Sequence, residues 1–180
     1  YIGAPCTVGL VEDVLSGVDT DKIIMFGGAG CLDKDIARGK IMIPTEAYRD
    51  EGTSYHYAPA GDYITLKNSD VVAGFMEQAS IPYVLGKTWT TDAIYRETRG
   101  SFEKRRQDGC IAVEMECAAV QAACDFRGVA FYNFLKSGDL LDAPEWDPRS
   151  ELGVHGSQHD PRYFMMALDL ACFVSDRHTH

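Results

Sequence analysis

The chain has 180 residues, 46% of them hydrophobic and 24% charged, with a formal net charge of −10. That is the size and balance of one globular domain, able to bury roughly 70% of its unfolded surface; the acidic excess speaks against a nucleic-acid surface, and no apolar run reaches membrane-helix length. Six cysteines without Cys-x-x-Cys spacing and five histidines without a ligand pattern give neither metal site nor disulfide framework, so the cysteines are expected as buried thiols in a reducing cytoplasm.

Val8 to Leu15 has helical spacing, and that helix is expected to stop at Gly17, a glycine C-terminal cap. Lys22–Phe26 reads as a buried strand ended by Gly27-Gly28-Ala29-Gly30, and Lys40–Ile43 as a second strand closed by Pro44. Ser69 offers an N-cap to a helix from Asp70 to Ala79, apolar at Val71, Val72, Phe75 and Met76. Pro82–Gly86 and Val129–Leu135 look like further strands, and the basic cluster Lys104-Arg105-Arg106 like a solvated helix face. Asp160-Pro161 opens a last helix, with Pro161 in the favoured first position and apolar residues at Phe164, Met165, Leu168, Ala171 and Phe173. Strands alternating with helices predict an α/β sheet covered on both faces. No repeat or low-complexity linker divides the chain, so residues 1–180 read as one domain.

The densest segment is Ile111 to Val120, which runs apolar, then acidic, then small and apolar. Its carboxylates Glu114 and Glu116 sit where a strand-like run gives way to a helix-like one, the usual lip for a ligand in an open α/β sheet. Two readings stand side by side there: hydrogen-bond acceptors for the hydroxyls of a sugar, or acids that complement a helix dipole. Gly27–Gly30 lets a ligand approach bare backbone, or is simply a tight turn; it lacks the Lys-Ser/Thr of a P-loop and the third glycine of a dinucleotide fingerprint. Ala47–Tyr57 crowds charges, hydroxyls and three aromatics after a strand, as functional loops do, or is an ordered loop bonded to itself. Thr88–Arg96 mixes hydroxyls with bulky groups able to wall a pocket. Lys136-Ser137-Gly138-Asp139 follows an apolar strand and places Asp139 where burial would suit it to proton transfer, or where it caps a turn.

Taken together these segments resemble the uridine and purine nucleoside phosphorylases, over nearly the whole chain and in the right order. Glu114-Met115-Glu116 followed by small residues is similar to their ribose-binding signature, and Arg49–Tyr57 to a loop of the uridine branch. Thr91–Tyr95 resembles their base and ribose pocket, and Ser137-Gly138-Asp139 the purine enzymes' proton-donating loop. The resemblance implies a three-layer αβα fold with a central mixed sheet. It also implies roles: Glu116 accepts from the ribose hydroxyls and Met115 packs under the sugar. Glu114, Ala29, Gly30, Thr90 and Ile94 surround the base, with Ile94 in place of a stacking aromatic, and Asp139 protonates the departing purine. Phosphate is the implied co-substrate, with Gly27, Gly28 and Arg49, or alternatively Arg96, left in this sequence to hold it, and with no other cofactor and no metal.

The same resemblance exposes two departures. Met25 stands where the family places a phosphate-holding arginine, and Gly28 where it places a hydroxyl residue. The chain opens on Tyr1 rather than methionine, so the family's N-terminal strands and glycine-rich phosphate loop are expected upstream. The implied activity is reversible phosphorolysis of a purine nucleoside or uridine in a cytoplasmic homo-oligomer, a dimer or trimer of dimers. Hydrolysis by water and non-catalytic nucleoside binding are the alternatives that the departures leave open.

Overall fold

The computed structural model describes residues 2–33, 40–141 and 161–176, with residues 139 and 140 described by backbone alone. In chain order the elements are α1 (Ala4–Gly17), β1 (Lys22–Cys31), β2 (Ile41–Asp50), β3 (Tyr63–Thr65), α2 (Ser69–Gln78), β4 (Tyr83–Thr91), α3 (Arg99–Gln107), β5 (Cys110–Glu114), α4 (Cys117–Arg127), β6 (Ala130–Leu140) and α5 (Pro161–Asp176). Short 3-10 turns lie at Thr53–His56 and Ile94–Arg96. Among the described residues no helix is long and apolar enough to cross a membrane.

The strands form one mixed sheet in the order β3-β2-β4-β5-β1-β6. The β1–β6, β2–β4 and β4–β5 pairs are parallel, while β2–β3 and β1–β5 are antiparallel. β6 also returns to β2, pairing Ile41 with Lys136 and Met42 with Leu135, so the sheet curls until its two sides meet. Helices cover both faces, as expected. α1 and α4 share a core with Ala29, Met42, Ala112 and Phe131, and the run of small buried residues from Cys117 to Cys124 lets α4 lie close. On the other face α2 and α5 pack Val72, Met76, Leu170 and Val174 against Ile43 and Phe134.

Several strands outrun their expected ends. Gly27–Gly30 is not a turn: β1 continues through the glycines to Cys31, with Gly27, Gly28, Ala29 and Cys31 paired to β6, Gly30 paired to Val113 of β5, and a register irregularity between Ala29 and Cys31. The chains approach closely there, since a Cβ on Gly138 would lie 3.0 Å from the Ala29 carbonyl oxygen. Pro44 does not close β2; it sits at the register shift between Pro44 and Ala47, the kind of irregularity where a residue without an N–H is tolerated. Lys136–Asp139 likewise belongs to β6 instead of following it.

Helix details also differ. Gly17 is the last helical residue of α1, and the cap is extended Val18 in place of a left-handed glycine. Asn68, not Ser69, is the N-cap of α2; the Ser69 hydroxyl donates to the Leu66 carbonyl while Asn68 reaches across to the Phe131 carbonyl. In the basic cluster only Arg105 is buried, its guanidinium stacked 3.5 Å from the centre of the Tyr48 ring. α5 buries Ala167, Leu170 and Val174, leaving Phe164, Met165 and Leu168 exposed, because its contact stripe is rotated from the one read in sequence. Cys6 and Cys172 are exposed, whereas the other four cysteines are buried as expected.

Candidate active site

A cleft of about 750 Å³ opens where β1, β6 and the β5–α4 junction meet. Its volume is that of a small-ligand site. It gathers most of the residues singled out in sequence: Gly27, Gly28, Ala29 and Gly30 from β1, Ile94 from the turn after β4, and Glu114, Met115 and Glu116 from the junction. Met25 lines it too, as does the backbone position Gly138. The Asp139 side chain lies outside the described residues. A smaller groove of about 370 Å³ between α2 and α5, lined by Phe75, Ile81, Met165 and Met166 among others, holds none of the expected site residues.

The two acids of the junction are held in opposite ways. Glu114 is 5% exposed. Its Oε1 accepts from the Thr90 hydroxyl at 2.5 Å and the Thr88 hydroxyl at 3.3 Å; its Oε2 accepts from the backbone N–H groups of Glu116 at 2.7 Å and Cys117 at 2.6 Å. Those amides are among the donors that a helix start leaves without partners, so Glu114 closes the first turn of α4 from the preceding strand. Burial pushes its carboxyl above the usual range, opposed by the hydrogen bonds from Thr90, Cys117 and Glu116.

Glu116 is only half-buried. Its Oε1 accepts from the Gly3 N–H at 2.6 Å and its Oε2 from the Met115 N–H at 3.2 Å. A carboxylate offers about four acceptor sites, so each Glu116 oxygen keeps capacity for a further donor. The Gly3 bond fixes the start of α1 against the junction and aims the group. A carboxylate held by two amides and facing a cleft is suited to accept from two neighbouring hydroxyls.

Two expected residues are placed elsewhere. Thr90 is fully buried and does not line the cleft; its oxygen accepts from the Ala118 N–H at 3.1 Å while its hydrogen goes to Glu114, so it supports the junction from behind. Arg49 is 5% exposed and also lies away from the cleft wall. Its guanidinium donates to Ser54 Oγ at 2.8 Å and to the carbonyls of Pro59 at 2.6 Å and Ala58 at 3.5 Å, with the Tyr55 ring 4.0 Å away. The Arg49–Tyr57 segment is bonded partly to itself and partly to β4 and its end, where Asp50 accepts from Trp89 and Thr91 and the Gly52 N–H donates to Asp92. Arg49 holds its own loop.

Other cleft residues carried no expected role. Thr7 and Leu10 enter from α1, Glu97 from the end of a 3-10 turn, Lys136 from β6 and Tyr163 from the first turn of α5. For Lys136 there was a signal: it is the one charged residue in an otherwise apolar or small run from Val129 to Gly138 that also contains Asn133 and Ser137. The contributions of α1 and α5 depend on tertiary packing and have no local signature.

A curled mixed sheet between two helical layers, with an acidic strand-to-helix junction opening on a glycine-lined cleft, defines a three-layer αβα protein with a small-ligand cleft at the sheet's lip. Residues 2–150 match the phosphorylase superfamily, and the chain belongs to that family. It is 30% identical over 140 residues to an uncharacterised protein of Acanthamoeba polyphaga mimivirus, covering 78% of this chain and 54% of that one. It is 26% identical over 146 residues to a DeoD-type purine nucleoside phosphorylase of Exiguobacterium sp., covering 78% and 60%. To a guanosine phosphorylase of Halorubrum lacusprofundi it is 28% identical over 131 residues, covering 71% and 54%. The matches thus span little more than half the length of these curated relatives. Among solved structures, an AMP nucleosidase from Bacteroides thetaiotaomicron superposes with a TM-score of 0.76 at 17% identity, covering 99% of this chain and 71% of that one. A purine nucleoside phosphorylase from Toxoplasma gondii in complex with immucillin-H gives 0.76 at 21%, covering 99% and 73%. At those identities the two structures speak for the shared three-layer fold.

Proposed function

We propose that the protein cleaves the N-glycosidic bond of a purine nucleoside, passing the ribosyl group to phosphate and releasing the free base. The observation that carries this reading is Glu116, half-buried in the cleft wall with acceptor capacity to spare and aimed by the Gly3 N–H. Breaking the bond builds positive charge on the ribose and negative charge on the base. A fixed carboxylate beside the sugar stabilises the first, and Asp139, which follows the cleft-lining Gly138, protonates the second. Glu114 shapes the junction that presents Glu116. Ala29 and Gly30 give the base a backbone wall, and Ile94 closes the rim.

Purine is preferred over uridine for two reasons. Relatives include a purine nucleoside phosphorylase and a guanosine phosphorylase, and the uridine-like Arg49–Tyr57 loop turns inward instead of reaching the cleft. Assembly into a homo-oligomer belongs to the same reading; Val14 of α1 and Val18 just beyond its end are exposed apolar residues.

Hydrolysis is the second reading, and a specific observation favours it: β1 gives the cleft only Met25, Phe26 and residues 27–30, none of them charged. The test is base release from inosine, guanosine, adenosine and uridine by the full-length protein, with and without phosphate. Release that requires phosphate supports phosphorolysis, and equal release without it transfers the reading to hydrolysis. No release from any substrate rejects both.

A further inference from the structure

We infer that Lys136 holds a phosphate group on the β6 side of the cleft. The proposal rests on the reading of the cleft as a nucleoside site and extends it to a second, anionic part of the ligand. Among the described cleft-lining residues Glu97, Glu114 and Glu116 carry acidic side chains, and Lys136 alone carries a cationic one. A phosphate placed beside the three acids meets repulsion from each, whereas an ammonium supplies charge-assisted hydrogen bonds. Within this cleft the favourable place for a dianion is therefore beside the Lys136 ammonium.

The surroundings of Lys136 fit that role. In the parallel β1–β6 pairing Lys136 stands opposite Gly28, which is exposed, so the neighbouring strand presents bare backbone where a bulky group needs room. A Cβ added at the adjacent Gly27 would meet nothing within 4 Å, so that stretch of cleft floor is open. Lys136 Nζ lies 5.8 Å from the centre of the Tyr163 ring, and Tyr163 itself lines the cleft. The first turn of the 16-residue helix α5 thus borders the same side, and the positive end of its dipole favours an anion there. Lysine suits this task as a compact point charge on a flexible stem.

Two sources supply this chemistry: free phosphate acting as the nucleophile, or the 5′-phosphate of a nucleoside monophosphate. Calorimetric titration of the full-length protein with inorganic phosphate, adenosine and AMP separates them, run on the wild type, Lys136→Gln and the charge-retaining Lys136→Arg. The result expected is that Lys136→Gln weakens phosphate or AMP binding at least tenfold, with adenosine affinity changing less than threefold and Lys136→Arg recovering most of the loss. Loss confined to inorganic phosphate identifies the nucleophile's site; loss confined to AMP identifies a nucleotide substrate. Equal anion binding by wild type and Lys136→Gln, or binding of neither anion by the wild type, overturns the proposal. Lysine-dependent anion binding without base release leaves this inference standing and rejects the proposed activity instead.

Discussion

Glu114 and Glu116 are one residue apart, yet the surrounding donors assign them different work. Glu114 spends both oxygens on two hydroxyls and two amides, and Glu116 spends its oxygens on one amide each. Glu114→Gln puts an amide donor against groups that already donate, and a buried mismatch of that kind costs about 1–3 kcal/mol. A thermal melt should show a Tm lower by several degrees. Glu116→Ala should instead reduce kcat/KM for nucleoside cleavage about a hundredfold, with a much smaller change in Tm. The sign of the pH effect follows from burial. Glu114's carboxyl titrates higher in the folded protein than in the unfolded chain, so the folded state holds its proton more tightly. That stabilisation is complete below the unfolded pKa, about 4.3, and is lost as pH rises through the folded value. The Tm advantage of wild type over Glu114→Gln should accordingly narrow as pH rises from 4.5. Sequence pattern brought out the pair but could not divide the roles, because the deciding partners, Thr88 and Thr90, come from another strand. The same limit hid that Thr90 and Arg49 turn away from the cleft wall.

At the scale of elements, hydrophobic periodicity located most strands and helices, whereas glycine and proline misled about where strands stop. Both residue types end isolated strands, but here each has a neighbour that makes continuation favourable: β6 for Gly27–Gly30 and β4 for Pro44. Gly86 shows how tight such packing is, since an added Cβ would lie 2.8 Å from three side-chain atoms of Ile111. Gly86→Ala should destabilise by about 1–3 kcal/mol through overpacking, readable as a lower denaturant midpoint with an unchanged m-value. α5 was legible as a helix but not in its rotation. Leu170, fully buried, should cost about 2–5 kcal/mol on change to alanine. Leu168 is 44% exposed, so its replacement should stay within about 0.5 kcal/mol, and paired urea melts of the two variants check the assignment. The three-residue strand β3 is too short to show a period, and α3 is too polar to show an apolar face.

At the scale of the whole molecule, the pairing of β1 with both β5 and β6 brings the site together, and the β2–β6 pairing closes the sheet. The latter curls the sheet, and with β6 held along β1 by their own parallel ladder the cleft is bordered by α1, α5 and the acidic junction. The three-layer architecture was accessible from the alternation of strands and helices, and from the resemblance of the motifs. The closing pair was not, because it depends on two residues from each strand at positions with no signature of their own. On the proposed reading the sugar side of the cleft rests on Glu116 and the anion side on Lys136. The central claim is that Glu116 receives the sugar hydroxyls, and one measurement addresses it directly: kcat/KM for inosine relative to 2′,3′-dideoxyinosine, in wild type and in Glu116→Ala. A site built to bond hydroxyls rejects a substrate that lacks them. The wild-type preference for inosine should therefore be large and should fall at least tenfold in Glu116→Ala. An inosine preference that is the same in both proteins would contradict the account.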